Sequence, residues 1–321
     1  MSWENKKVLV VGGAGYIGGA VTDILLKEGI PFSVYDNLLY ENQYLKPVDF
    51  IFGDVRDQEK LASILPNYSH VIWLAAIVGD GACAIRPDLT VQVNQNSVEW
   101  LAKNYQGRII FLSTCSVYGQ NDNEVDENSL LNPLSLYAKT KIEAEKCLAN
   151  SNSLIFRLGT VFGVSDTYAR IRMDLAVNYM TARAITNGKL TIFGGNQWRP
   201  LVHVKNVAEA IVSSLEKPLK GVYNISGLNY KIADLGEEIA KITNSKIEYV
   251  DIKFEDLRNY HVSVAKANQA GILPFKHLLT VADGVREMSD LVFSGRIKYT
   301  DNDIYSNEKH IANLNNHGSL T

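Results

Sequence analysis

The chain predicts an α/β protein: a Rossmann-type, doubly wound parallel sheet followed by a smaller mixed α/β substrate-binding unit. Three observations predict it. Val8 to Gly12 is apolar or small at every position, as in a strand buried on both faces of a parallel sheet. Glycines follow at once and open an amphipathic helical stretch. Apolar strands then alternate with helical stretches as far as Leu158, the rhythm of right-handed βαβ crossovers.

Taken in order, the glycines Gly13, Gly15 and Gly18 spell G-x-G-x-x-G, with Gly12 one place earlier. Glycine permits a sharp turn, close approach of backbone to a pyrophosphate, and a helix seated close to its strand. The helix predicted over Tyr16 to Lys27 points its first N–H groups, at Tyr16 and Ile17, and its positive dipole end at such phosphates. An ordinary tight turn explains a glycine cluster equally well, and the next strand decides between them. Phe32 to Tyr35 ends in Asp36, about the distance beyond the glycines expected of a ribose-binding carboxylate. Asn37 and Leu38 follow, with no Arg or Lys to receive a 2′-phosphate, so the expected cofactor is NAD rather than NADP.

Asp49 to Phe52 reads as the third strand, ending in Gly53-Asp54-Val55, and Asp57 caps a helix to Leu65. Val71 to Ala76 is a buried strand closing on Ala75-Ala76. A long helix is expected from Leu89 to Asn104, a strand from Arg108 to Ser113, a helix from Ser135 to Ala149 and a strand from Ser153 to Leu158. Ligands of such sheets gather at the carboxyl ends of the strands, here Gly12, Asp36, Asp54, Ala76 and Ser113.

Residues 1–160 thus form the expected nucleotide domain. Beyond it the rhythm loosens into a smaller mixed α/β segment over residues 161–300. That segment holds a helix from Asp174 to Asn187, a glycine turn before Trp198, and helices at Val207–Leu215 and Ala233–Thr243. Return segments near residues 200–225 rejoin the first domain. The polar, Asn-rich stretch over residues 301–321 is expected to be loosely held.

With 321 residues, 46% of them apolar, the chain has ample material for a large core. A formal net charge of −3 gives no reason to expect nucleic acid, and no basic tract suggests a membrane surface. Cys83, Cys115 and Cys147 are odd in number and far apart, which suggests neither a disulfide framework nor a metal site. A reducing, cytoplasmic setting is expected. The apolar run after Lys6 and Lys7 breaks into glycines, unlike a signal peptide, and the later run Val71 to Gly79 is too short to span a bilayer.

Tyr137 and Lys141 stand four apart on a predicted helix, hence on one face. A phenol titrates near pH 10 and is a poor base at neutrality; a lysine cation and a positive nicotinamide ring both favour the phenolate. Each unit of pKa shift is worth about 1.4 kcal/mol. Such a phenolate takes a hydroxyl proton while hydride leaves the same carbon. A surface helix bearing a solvated Lys is the plain alternative. Ser113, Thr114 and Ser116, at the end of the Arg108 strand, offer hydroxyls to steady that proton transfer, or simply satisfy loop backbone.

Together these residues resemble the extended short-chain dehydrogenase/reductase superfamily, in its NAD-dependent nucleotide-sugar epimerase/dehydratase branch. The resemblance runs to about residue 290. It rests on Gly12, Gly15, Gly18, Asp36-Asn37, Asp54-Val55, Ala75-Ala76, Asn94, Thr114, Tyr137 and Lys141. It implies Tyr137 as acid/base, Lys141 as the residue that lowers its pKa and holds the nicotinamide ribose, and Thr114 as assistant. It also implies Asp54 and Val55 at the adenine, and Asn94 as a support for active-site backbone. Arg199, in Gln197–Val204, is similar to the family's diphosphate-binding arginine. Arg172, with Asn178 on the following helix, is similar to the segment that holds the sugar nucleotide. A guanidinium fork suits a diphosphate, although either arginine could equally form a structural ion pair. His203 reads as a structural strand residue.

The chain departs from the family's dehydratases. Cys115 and Ser116 stand where those enzymes carry an Asp-Glu pair, so dehydration is not expected. Pro200 replaces a frequent Asp, and Ala138 and Lys139 replace smaller residues. The expected activity is NAD-dependent oxidation at C4 of a UDP- or GDP-linked hexose or heptose, as a 4-epimerase or a 4-dehydrogenase, in bacterial surface polysaccharide (capsule) synthesis. The alternative is a non-catalytic NAD(H)-binding sensor or scaffold, against which the intact Tyr137, Lys141 and Thr114 count. The resemblance further implies a homodimer, formed through the Leu89–Asn104 and Ser135–Ala149 helices.

Overall fold

The computed structural model describes residues 3–41, 43–250 and 258–316. The chain starts with β1 (Val8–Val11), α1 (Tyr16–Lys27), β2 (Phe32–Asp36), β3 (Phe50–Phe52), α2 (Gln58–Ile64) and β4 (His70–Trp73). Two short helices follow, α3 (Asp80–Ile85) and α4 (Pro87–Val91), then α5 (Ser97–Asn104), β5 (Arg108–Thr114), β6 (Gln120–Val125), α6 (Leu136–Leu148) and β7 (Ser153–Leu158). The second half comprises β8 (Thr160–Phe162), α7 (Ala176–Asn187), β9 (Lys189–Phe193), β10 (Trp198–His203), α8 (Val204–Ser213), β11 (Gly221–Ile225), β12 (Leu228–Lys231) and α9 (Ile232–Thr243). It closes with β13 (Lys246–Val250), β14 (Asn259–Val262), α10 (Ala265–Gln269), α11 (Val281–Phe293) and α12 (Asn307–Asn316).

Seven strands form the main sheet in the order β11-β7-β5-β4-β1-β2-β3, every pairing parallel. Alternation along each strand feeds two cores. Val8 and Val10 pack on one face with Val21 and Leu25 of α1 and Val207 and Ile211 of α8. Leu9 and Val11 pack on the other with Leu61 of α2, Leu101 of α5 and Leu148 of α6. The sheet is covered on both faces, which is why its central residues are apolar and its polar ones, such as His70, Arg108 and Thr114, gather towards the strand ends. Strand order reverses between β1 and β4, and that switch point opens the crevice where ligands of such sheets bind.

A second, smaller core joins α7, α9, α11, β9 and β10 through Val177, Leu190, Ile192, Leu201, Leu235, Ile239 and Val285. β11 carries the chain back to the edge of the main sheet beside β7. His203 is fully buried; its ring accepts from the Lys205 N–H as the cap of α8 and pairs with Glu287 at 3.0 Å, a structural role.

Two expectations need correction. The stretch from Leu89 to Asn104 is not one regular helix: a π turn at Gln92–Asn96 separates α4 from α5. It widens the coil where Asn94 turns inward, and the fully buried Asn94 amide bonds both the N–H and the carbonyl of Ile77. Nor is the Asn-rich stretch loosely held. It forms a 3-10 turn at Asp303–Tyr305 and then α12, with Ile311 wholly buried in the core behind α3. Residues 317–321 of that tail lie outside the described residues.

Candidate active site

A continuous cleft of about 1090 Å³ runs along the carboxyl ends of the main sheet and into the second core. Its size exceeds what one small ligand needs. Gly12, Gly15, Tyr16, Ile17, Gly18, Asp36, Asn37, Asp54, Val55, Ala75 and Ala76 line one half. Thr114, Tyr137, Lys141 and Arg199 line the cleft as well, and so does Arg172, whose guanidinium stands 6.0 Å from the Tyr16 ring centroid. Two of the expected residues are absent from the lining. Asn94 braces Ile77 from behind. Asn178 is fully buried, and its amide bonds the Gly163 backbone and the Arg172 carbonyl, so it shapes the arginine loop. A loop backbone and a ligand ask for the same amide, and the sequence does not distinguish them.

The first half fits a dinucleotide. At Gly12, φ is +82° and an added Cβ would stand 2.5 Å from the Ala75 nitrogen, so only glycine makes this turn. At Gly18 a Cβ would lie 2.4 Å from the Gly13 carbonyl oxygen, which fixes how closely α1 approaches the turn. Gly15 differs: its backbone is extended and an added Cβ would meet only the Gly12 oxygen, at 3.3 Å. Its missing side chain leaves space in the cleft itself. Gly15 begins α1 with no side-chain cap, which leaves the helix start available to an anion. The Asp36 carboxylate lines the cleft and accepts from the Ala14 N–H at 3.1 Å and the Leu38 N–H at 2.8 Å. Burial raises its pKa against those backbone bonds. Asp54 is held by Arg56 through paired 3.0 Å bonds and by Asn37 at 3.0 Å. The Tyr40 hydroxyl and one Asp80 oxygen are buried at the cleft wall without a partner among the described residues, as groups that await a polar ligand are.

At the centre, the Lys141 ammonium is 3% exposed, donates to the Leu112 carbonyl at 2.9 Å and lies 5.9 Å from the Tyr137 ring centroid. Burial pushes its pKa down to about 8. The Tyr137 phenol is pushed well up, first by burial, then by Cys83 and Asp80, with Arg172 opposing. Burial thus opposes the phenolate, and the expected aid of a positive nicotinamide ring would act against it. The Thr114 hydroxyl accepts from the Ser116 N–H at 3.1 Å and lies 3.0 Å from the Ser116 hydroxyl, itself 3.3 Å from that of Tyr260. Cys115 is buried with its thiol on the Arg157 carbonyl.

Of the two arginines, Arg172 Nε bonds Asp174 at 2.5 Å, and buried Arg199 donates to the Trp198 carbonyl at 2.8 Å and to that of Arg258. Arg258 and Asp80 form a 3.1 Å ion pair, and both line the cleft. Sequence reasoning missed this pair. Asp80 lies just beyond the end of β4, where the strand-end rule could have found it; nothing marked Arg258. Tyr40, Asn307 and Glu308 are further lining residues it missed.

The model of the NAD-dependent epimerase/dehydratase family matches residues 8–226. The chain belongs to that family. It is 28% identical over 264 residues to an N-acetylglucosaminyl-diphospho-undecaprenol 4-epimerase of Escherichia coli O157:H7, covering 78% of this chain and 76% of the relative. An uncharacterized UDP-glucose epimerase of Bacillus subtilis (strain 168) is 29% identical over 314 residues, covering 87% of this chain and 95% of that one. Among solved structures, the UDP-glucose 4-epimerase of Thermus thermophilus in complex with NAD superposes with a TM-score of 0.74 at 25% identity, covering 88% of this chain and 98% of its own. Like the rest of its family, the chain is an NAD-dependent enzyme of nucleotide-sugar chemistry. Among the described residues, no helix is long and apolar enough to cross a membrane.

Proposed function

We propose that the protein oxidises C4 of a UDP- or GDP-linked hexose or heptose in the cytoplasm, as a 4-epimerase or a 4-dehydrogenase serving bacterial surface polysaccharide synthesis. The observation that supports this is that Tyr137, Lys141 and Thr114 line the same cleft as the glycine turn, Arg172 and Arg199. Arg172 and Arg199 hold the substrate diphosphate, and Lys141 holds the nicotinamide ribose. Tyr179 and Phe193, exposed aromatic rings lining that end, offer faces to a nucleobase. Bound NAD supplies the acceptor for the hydride that leaves C4. Tyr137 takes the C4 hydroxyl proton while Thr114 orients the oxygen and Lys141 supports the resulting negative charge. Elimination of water is not part of this reading, because Cys115 and Ser116 offer no paired carboxylates. The relative from Escherichia coli, named for a diphosphate-linked sugar on a polyprenol, supports C4 chemistry next to a diphosphate.

The test is incubation with UDP- and GDP-linked hexoses and heptoses, and with a polyprenyl-diphosphate sugar, reading absorbance at about 340 nm and product configuration at C4. Inverted nucleotide sugar without lasting NADH identifies the epimerase. Lasting NADH with a 4-keto product identifies the dehydrogenase. Turnover of the polyprenyl substrate alone, or of none, contradicts the proposal.

A further inference from the structure

We infer that the segment after α11, from Asp301 to Leu314, completes the dinucleotide site: it straps the cleft above the glycine turn and holds NAD(H) through turnover. The segment lies outside the residues matched by the family model. β1 lies between β2 and β4 in the sheet. The His310 ring Nε2–H donates at 2.9 Å to the Leu39 carbonyl, in the loop after β2. The Asn307 side-chain amide donates at 3.0 Å to the Val78 carbonyl, in the loop after β4. A segment fastened to both loops passes across the carboxyl end of β1, where Gly12, Gly15 and the start of α1 face the diphosphate.

A third side is closed as well. The Asn307 N–H donates to Asp174 at 2.8 Å, the Tyr305 carbonyl accepts from the Met173 N–H at 3.0 Å, and Arg170 donates to the Ile304 carbonyl at 2.6 Å. The strap is therefore tied to the loop that carries Arg172. Ser306, Asn307 and Glu308 face the cleft, while Ile311 is buried in the core on the opposite side of α12. Beneath the strap, Tyr40 packs on His310 with ring centroids 5.3 Å apart and keeps a buried hydroxyl without a partner among the described residues. That hydroxyl is a donor at the place where dinucleotide oxygens lie under the strap.

A dinucleotide seated there leaves only when the helix lifts, so the hydride taken from one sugar stays on the protein until it is returned or handed on. Asn307 and His310 are positioning residues in this scheme. Lys309 is the internal control, because it turns away to the Asp301 carbonyl at 3.0 Å and Asp303 at 3.2 Å.

The test uses the full chain loaded with NADH and follows its fluorescence after a chase with excess NAD, together with amide hydrogen exchange. Asn307→Ala and His310→Ala should each release NADH at least ten times faster than the unaltered protein, and Lys309→Ala at the unaltered rate. Amides of residues 304–314 should exchange more slowly once NAD is added. The two substitutions loosen opposite attachments, so misfolding of one leaves the other to decide. Equal release rates in all the proteins, or exchange over 304–314 indifferent to NAD, overturn the strap while leaving the cofactor assignment standing. Failure of the full chain to bind NADH at all overturns both.

Discussion

Tyr137 and Lys141 are one helical turn apart on α6, and burial sets their charges more than either sets the other's. Lys141, at about 8 instead of its ordinary 10.5, is a cation at neutral pH held at a cost. The unfolded chain binds the extra proton between those two values, so this group destabilises the fold fully below pH 8, and the penalty is relieved as pH rises towards 10.5. Denaturant unfolding of the cofactor-free protein should therefore show stability rising from pH 8 to pH 10 relative to Lys141→Met. A flat difference would refute the depressed pKa. In the NAD-loaded protein the same substitution removes positive charge beneath the phenol. The pH of half-maximal hydride transfer should then move upward, and an unmoved profile would show that the lysine does not act on Tyr137.

At the scale of elements, the turn between β1 and α1 assigns different work to glycines that look equivalent in the sequence. Gly15→Ala meets only one oxygen at 3.3 Å and needs no positive φ, so it should leave the fold within about 1 kcal/mol of its stability. The added methyl occupies diphosphate space, and NAD affinity should fall at least tenfold by titration calorimetry. Gly12→Ala, with φ +82° and backbone at 2.5 Å, should lower the melting temperature of the cofactor-free protein itself. Equal thermal loss in both would contradict this division. The strands and most helices were legible because burial on both faces forces unbroken apolar runs, and the site was legible where chemistry is tied to strand ends, as at Asp36 and Thr114. The strap was not. Its docking depends on one buried Ile311 and on amide contacts, and an Asn-rich stretch with few apolar residues reads as loose chain. The backbone bonds of Asn178 were hidden for the opposite reason, because a lone polar residue does not reveal its partners. The π turn was hidden because one extra residue in a coil hardly changes the apolar periodicity.

For the whole molecule, the cleft joins a nucleotide-binding sheet to a second core, and both halves are tied together through the Asp80–Arg258 pair and the strap. We propose a homodimer through α5 and α6, and the outward faces of those helices set its character. They carry Glu99 paired with Lys103 at 2.6 Å and Glu143 with Lys146 at 2.7 Å, with Trp100 half-buried between polar neighbours. An interface rich in exposed charge is weakened by salt. Light scattering should give a dimer at low ionic strength whose dissociation constant rises with added salt; a monomer at low salt contradicts the proposal. The account as a whole rests on proton removal by Tyr137 at the C4 hydroxyl. The most direct measurement is single-turnover hydride transfer from a nucleotide-linked hexose to bound NAD, comparing the unaltered protein with Tyr137→Phe. The account predicts a loss of about a hundredfold or more in the transfer rate with NAD affinity nearly unchanged. Transfer at the unaltered rate in Tyr137→Phe would contradict it.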